Sequence, residues 1–208
     1  MKLVYWCGYT LFKGIAKFFF SYEIVHRERL VEDGATLVAS NHASFLDPPM
    51  VGIAYRSAIY YLARKTLFRG FFGWLYRNWN SIPVDQERAD FTSLKTIIKL
   101  LKKGERVVVF PEGQRSWDGT LLEGQPGVGL VIAKAGVPVQ PVRLFGTFEA
   151  LGRGIHWPRV VRITLVVGEP IMVRPEDFDE RGKDLYRAMS DHVMAAISAL
   201  ELPPGREP

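Results

Sequence analysis

At 208 residues, 48% of them hydrophobic, the chain has the material for one full core and falls outside the disordered class. A formal net charge of +5 suits an acidic partner: phosphate ligands, an anionic membrane surface or nucleic acid. The single cysteine, Cys7, rules out an internal disulfide, and no Cys/His cluster has zinc spacing, so no metal is expected.

The first predicted element is residues 1–20, MKLVYWCGYTLFKGIAKFFF. Lys13 and Lys17 interrupt it short of the roughly 20 apolar residues that a spanning helix needs. No small-residue cleavage site follows, which argues against a signal peptide. At about 100° per residue, Lys2, Lys13 and Lys17 share an arc of roughly 60°. A basic stripe on an aromatic helix predicts an interfacial membrane anchor, with Trp6, Phe12, Lys13 and Lys17 as contacts. An ordinary helix packed on the domain is the alternative, and Gly8 and Gly14 are points where it could divide in two. Residues 21–208 read as one domain.

Strands follow at TLVAS (36–40) and AIYYLA (58–63). LFRGFFGWLYRNW (67–79) is a second aromatic stretch, with Leu67, Phe68, Phe71, Trp74 and Leu75 on one side and Lys65, Arg69 and Arg77 opposite. A helix from an N-cap at Asp90 through Lys103 precedes the clearest strand, RVVVF (106–110). GVGLVIAKAG (127–136) predicts a buried helix closed by Gly136. VPVQPVRL (137–144) and VVRITLVVG (160–168) are strands, and 180–200 is a last helix. Strands alternating with helices predict an α/β layer fold with a largely parallel or mixed sheet. In such sheets sites form beyond the carboxyl ends of strands.

Two polar clusters lie at such ends. In SNHASFLDPP (40–49), Asp47 can reach back to His42 across one turn, fixing the tautomer of a candidate base. Ser44 is a candidate N-cap for a helix that follows. In FPEGQRS (110–116), Arg115 offers a planar fork for phosphate oxygens and Gly113 permits close backbone approach. Glu112 has two readings: it holds Arg115, or it accepts from a ligand hydroxyl. No G-x-S-x-G elbow is present, so the nucleophile is expected to belong to a substrate. His26, His156 and His192 read as structural. The aromatics bunch with aliphatics rather than interleaving along a basic groove, so nucleic acid is not an expected partner.

NHASFLDP and FPEGQRS, in that order, resemble the first and third signature blocks of the glycerophosphate/lysophosphatidic-acid acyltransferase superfamily. SIPVDQER (81–88) is similar to the second block and VPVQPV (137–142) to the fourth. Gln114 stands where the third block usually has Thr, and Gln86 and Glu87 separate Asp85 from Arg88 where the second usually has the pair adjacent. The resemblance implies acyl transfer from acyl-CoA or acyl carrier protein to the free hydroxyl of 1-acylglycerol 3-phosphate. It implies no metal or redox cofactor. His42 and Asp47 would be catalytic, and Glu112, Gly113, Arg115, Lys65 and Arg88 would bind substrate. Lipid substrates imply membrane association, and the cytoplasmic face is the expected location. The 67–79 stretch is then a wall of an acyl-chain channel, a second membrane contact through Phe71 and Trp74, or a core-facing helix. Other acceptors (glycerol 3-phosphate, another lysophospholipid, a lyso-aminolipid) and a non-catalytic peripheral lipid-binding protein are the alternatives.

Overall fold

The computed structural model describes residues 3–84 and 91–208. The chain runs α1 (Leu3–Phe19), β1 (Glu23–Val25), β2 (Thr36–Ser40), α2 (Asp47–Gly52), β3 (Tyr60–Arg64), α3 (Gly70–Asn78), β4 (Ser81–Val84), α4 (Phe91–Lys102), β5 (Arg106–Val109), α5 (Pro126–Ala135), β6 (Val139–Phe145), α6 (Thr147–Leu151), β7 (Thr164–Val167) and α7 (Gly182–Ser198). The expected N-cap Asp90 and the candidate ligand Arg88 lie outside the described residues, as do the side chains of Phe71 and Leu75.

The strands form one sheet in the order β1-β7-β6-β2-β5-β3-β4. The five from β6 to β4 are parallel, while β7 runs antiparallel to β6 and carries β1 parallel to itself. The sheet is therefore mixed, helix-covered and α/β. Alternation along each strand divides the core between its two faces. Val38, Val108 and Val142 point into one cluster with Met50, Tyr55 and Ile59. Leu37, Ala39, Val107, Val109 and Val139 point into the other, under Ile97, Ile132, Met189 and Val193 of the helices. Gly136 closes α5 in the left-handed conformation, as its position predicts.

α1 is one helix, undivided by its glycines. At Gly8 a Cβ would meet the Trp79 indole at 2.6 Å, so the glycine admits the end of α3 against α1 rather than breaking it. Ala16 and the following Phe20 belong to the core, and Tyr9 and Phe12 pack against it. Tyr9 Oη donates to the Tyr55 carbonyl at 3.0 Å, and the Ile59 N–H donates to Tyr5 Oη at 3.3 Å. The helix is thus a packed layer of the domain, which corrects Phe12 as an outward contact. The outward face instead carries exposed Leu3, Leu11 and Phe18, flanked by exposed Lys13 and Lys17. Trp6 is half-buried, edge-on to Tyr5 and Tyr9. No helix of the described residues is long and apolar enough to cross a membrane.

Candidate active site

β2 and β5 are hydrogen-bonded neighbours, so the loops that leave their carboxyl ends emerge side by side. The first carries His42. Buried Asn41 anchors its root, donating Nδ2–H to the Leu144 carbonyl at 2.9 Å and accepting the Leu144 N–H at 2.7 Å. The loop then turns into α2, whose first residue is Asp47 and whose next two are prolines, a pairing suited to a helix start. Ser44 is not the N-cap. Leu46 holds that place, and Ser44 Oγ accepts the Leu46 N–H while donating to the Leu151 carbonyl at 2.7 Å.

Asp47 is fully buried. Its Oδ2 accepts the N–H groups of Ala43 and Ser44, both at 2.7 Å, and faces His42 Nδ1 at 2.8 Å. A carboxylate can only accept, so Nδ1 carries the hydrogen and Nε2 is left as the acceptor. The imidazole stacks on Phe110, centroids 4.1 Å apart, and its side chain keeps 19% exposure. The sequence pairing of His42 with Asp47 is therefore a direct contact.

The second loop is stitched to the first. The Ser116 N–H donates to the His42 carbonyl at 2.7 Å. Glu112, 2% exposed, accepts the His42 N–H on Oε1 at 2.6 Å and the Leu122 N–H on Oε2 at 2.9 Å. Both oxygens are thus engaged by backbone, and Glu112 forms no ion pair with Arg115. It is a staple between the two loops that also lines the cavity, which corrects its reading as the holder of Arg115. Gly113 follows at φ +71°, left-handed, with the Gln125 side chain 3.0 Å from where a Cβ would stand.

Burial pushes the Glu112 carboxyl up to about 7, against the pull of its two N–H donors. Its proton is held more tightly folded than unfolded, so this group's stabilisation is complete below the ordinary value of 4.5 and is lost as pH rises through about 7. Glu112→Gln should flatten the decline in melting temperature between about pH 5 and pH 8. Below about pH 5 it should also lower stability by about 1–3 kcal/mol, because an amide NH₂ would oppose one N–H donor whereas a protonated acid still accepts both, and this gap should narrow as pH rises through about 7. Thermal melts of both proteins across that range check this.

His42, Gly113, Gln114 and Arg115 open onto one cavity of about 850 Å³. Much of the lining is apolar or aromatic: Tyr5, Tyr9 and Phe12 of α1, Ile53, Leu62, Leu67 and Trp79. In the 67–79 stretch, Leu67, Tyr76 and Trp79 line the cavity, while Trp74 is exposed. Lys65 is exposed and not part of the lining. Its neighbours Arg64 and Thr66 are, together with Arg153. Sequence reasoning missed Arg64 and Arg153. The only signal for Arg153 is an arginine set between Gly152 and Gly154. Desolvation, and then the positive charge of Arg153, hold the Arg115 guanidinium below its ordinary value. Among the described residues, no group of three or more metal-type ligands is found.

Residues 22–144 match the family model described as Acyltransferase. The chain is 30% identical over 184 residues to the 1-acyl-sn-glycerol-3-phosphate acyltransferase of Bacillus subtilis (strain 168), covering 86% of this chain and 87% of that protein. It is 33% identical over 125 residues to the chloroplastic 1-acyl-sn-glycerol-3-phosphate acyltransferase BAT2 of Brassica napus, 59% of this chain and 36% of that longer protein. The crystal structure of the 1-acyl-sn-glycerophosphate (LPA) acyltransferase PlsC from Thermotoga maritima superposes with a TM-score of 0.71 at 24% identity. That superposition covers 92% of this chain and 77% of the other, and so the fold is shared. With a histidine–aspartate pair and an arginine at one cavity, and with the family's model matching more than half its length, this chain belongs to the acyltransferase family and is an enzyme of that type.

Proposed function

We propose that this acyltransferase moves a fatty acyl group from a thioester of coenzyme A or acyl carrier protein to the free hydroxyl of 1-acylglycerol 3-phosphate, yielding phosphatidic acid. The observation that carries the reading is the lining of the cavity, in which His42 is joined by an apolar and aromatic set of side chains and by the guanidinium groups of Arg64, Arg115 and Arg153. An amphiphile with one acyl chain and a phosphate matches that polarity, its hydroxyl lying between the two ends. The Bacillus subtilis and Brassica napus relatives are named for the same acceptor, which supports the reading.

In this reading Nε2 of His42 removes the hydroxyl proton as the oxygen attacks the thioester carbonyl. The new C–O ester bond forms, the C–S bond breaks, and the departing thiolate takes the proton back from the imidazolium. Asp47 steadies that cation. The carbonyl oxygen needs donors as it becomes anionic. The Gly113 N–H is committed to the Phe110 carbonyl at 3.0 Å, which leaves the N–H groups of Gln114 and Arg115 as the candidates. Arg115 grips the phosphate, and holding the pair of reactants together contributes on the order of 7–11 kcal/mol. Cys7, exposed on α1 and absent from the cavity wall, has no part.

The outward face of α1, apolar with Lys13 and Lys17 beside it, supports docking on an anionic bilayer. The test is a transfer assay on floated anionic vesicles carrying lysophosphatidate, with acyl-CoA and acyl carrier protein thioesters supplied separately. Phosphatidic acid and the protein should appear together in the vesicle fraction. Transfer to glycerol 3-phosphate or a lyso-aminolipid, with none to lysophosphatidate, would replace the acceptor. Absence of any turnover would overturn the reading.

A further inference from the structure

Two arginines at the cavity are held in the same way. The Arg115 guanidinium lies over the Phe45 ring at 3.6 Å, and that of Arg153 over the Trp117 ring at 3.7 Å. Both rings belong to exposed residues, Phe45 at 63% and Trp117 at 67%. Stacking occupies the face of a guanidinium and leaves its N–H donors, which lie in the plane, unspent. No carboxylate lies within ion-pair distance of either among the described residues. Nε of Arg153 is buried without a hydrogen-bond partner. Two like charges are therefore kept close, partly desolvated and short of acceptors, an arrangement that an anion between them relieves.

The chain holds Arg153 there deliberately in the structural sense. Gly152 forms a β-bridge with Ser44, and Ser44 Oγ bonds the Leu151 carbonyl. The Gly152 site itself has no room for a side chain, since a Cβ would stand 2.5 Å from Phe148. Arg153 is thus fastened to the loop that carries His42 and Asp47, although more than a hundred residues separate them in sequence.

We propose that Arg153, seated on Trp117, is the second guanidinium of a phosphate clamp whose first is Arg115, a substrate-positioning role independent of the acidic and basic groups of the reaction. Phosphate is the shared chemistry of two sources, the acceptor headgroup and the phosphates of the donor's carrier. The substrates named here rest on the acyl-transfer reading, while the clamp itself is tested by binding.

Arg153→Gln should raise KM for the substrate whose phosphate it holds by about tenfold or more, with kcat within about threefold. A shift confined to lysophosphatidate assigns the acceptor, and one confined to acyl-CoA assigns the donor. Calorimetric titration with lysophosphatidate and, separately, with coenzyme A should show the same loss in affinity. Arg153→Lys, which keeps the charge but loses the fork and the stack, should fall between wild type and Arg153→Gln, and it carries the test if the glutamine variant does not fold. If both KM values and both affinities stay within about twofold of wild type, the clamp is overturned while the transfer reading stands. If wild type transfers nothing yet titration still shows the loss, the clamp stands and the transfer reading fails.

Discussion

His42→Ala should slow acyl transfer by roughly 10³-fold or more, with the melting temperature close to that of wild type. The loss belongs in kcat. Nothing about the imidazole holds a chain or a phosphate, so its removal takes away an interaction made as the hydroxyl proton departs, and KM should move little. Stability is spared for a structural reason. The ring keeps 19% exposure and makes one polar contact, to Asp47, whose Oδ2 retains the N–H groups of Ala43 and Ser44 when the imidazole goes. The backbone of residue 42 stays stapled as well, through the Glu112 and Ser116 bonds. Initial rates at saturating lysophosphatidate, alongside equilibrium binding of the same lipid, measure both halves. Turnover near wild type would remove His42 from the chemistry. Intact lipid binding in a wild type that never turns over would favour a binding protein instead.

What could be read from the sequence depended on how local the cause was. RVVVF declares a buried strand because its β-branched run is continuous, and β5 lies where that predicts. His42 and Asp47 are five positions apart, so one turn suffices to join them. Arg153 reaches the site through α6 and a bridge to Ser44, contacts that no local pattern encodes. The backbone staple that Glu112 makes was not legible, because a sequence displays its charge beside Arg115 but hides the backbone donors its carboxylate accepts. α2 has six residues, two of them prolines, too few to show a helical period. The aromatic helix at the start shows its period clearly, but both faces are apolar. Which one turns inward was decided by the tyrosine hydroxyls that bond to the segment after α2.

Asp47→Ala and Asp47→Asn should separate what this carboxylate does for the fold from what it does for the reaction. In the alanine variant three donors, the N–H groups of Ala43 and Ser44 and Nδ1 of His42, face a buried void. Each stranded buried donor costs about 1–3 kcal/mol, so a loss of several kcal/mol in stability is expected even if the imidazole swings free. Transfer should fall about as far as in His42→Ala, because the tautomer is no longer specified. Asparagine is different here for a reason of geometry. Two backbone donors converge on the Oδ2 position from fixed directions, so the amide oxygen is drawn to it and the NH₂ is turned away from His42. Nδ1–H then keeps an acceptor and Nε2 stays unprotonated, and only the charge that steadies the imidazolium is lost. The expected rate loss is about 10- to 100-fold, well short of the roughly 10⁴-fold seen when such an amide reverses the tautomer. Melting temperatures and kcat for the two variants, measured beside His42→Ala, decide it. An asparagine variant as inactive as the alanine one would show that the backbone donors do not fix the amide and that the tautomer has reversed.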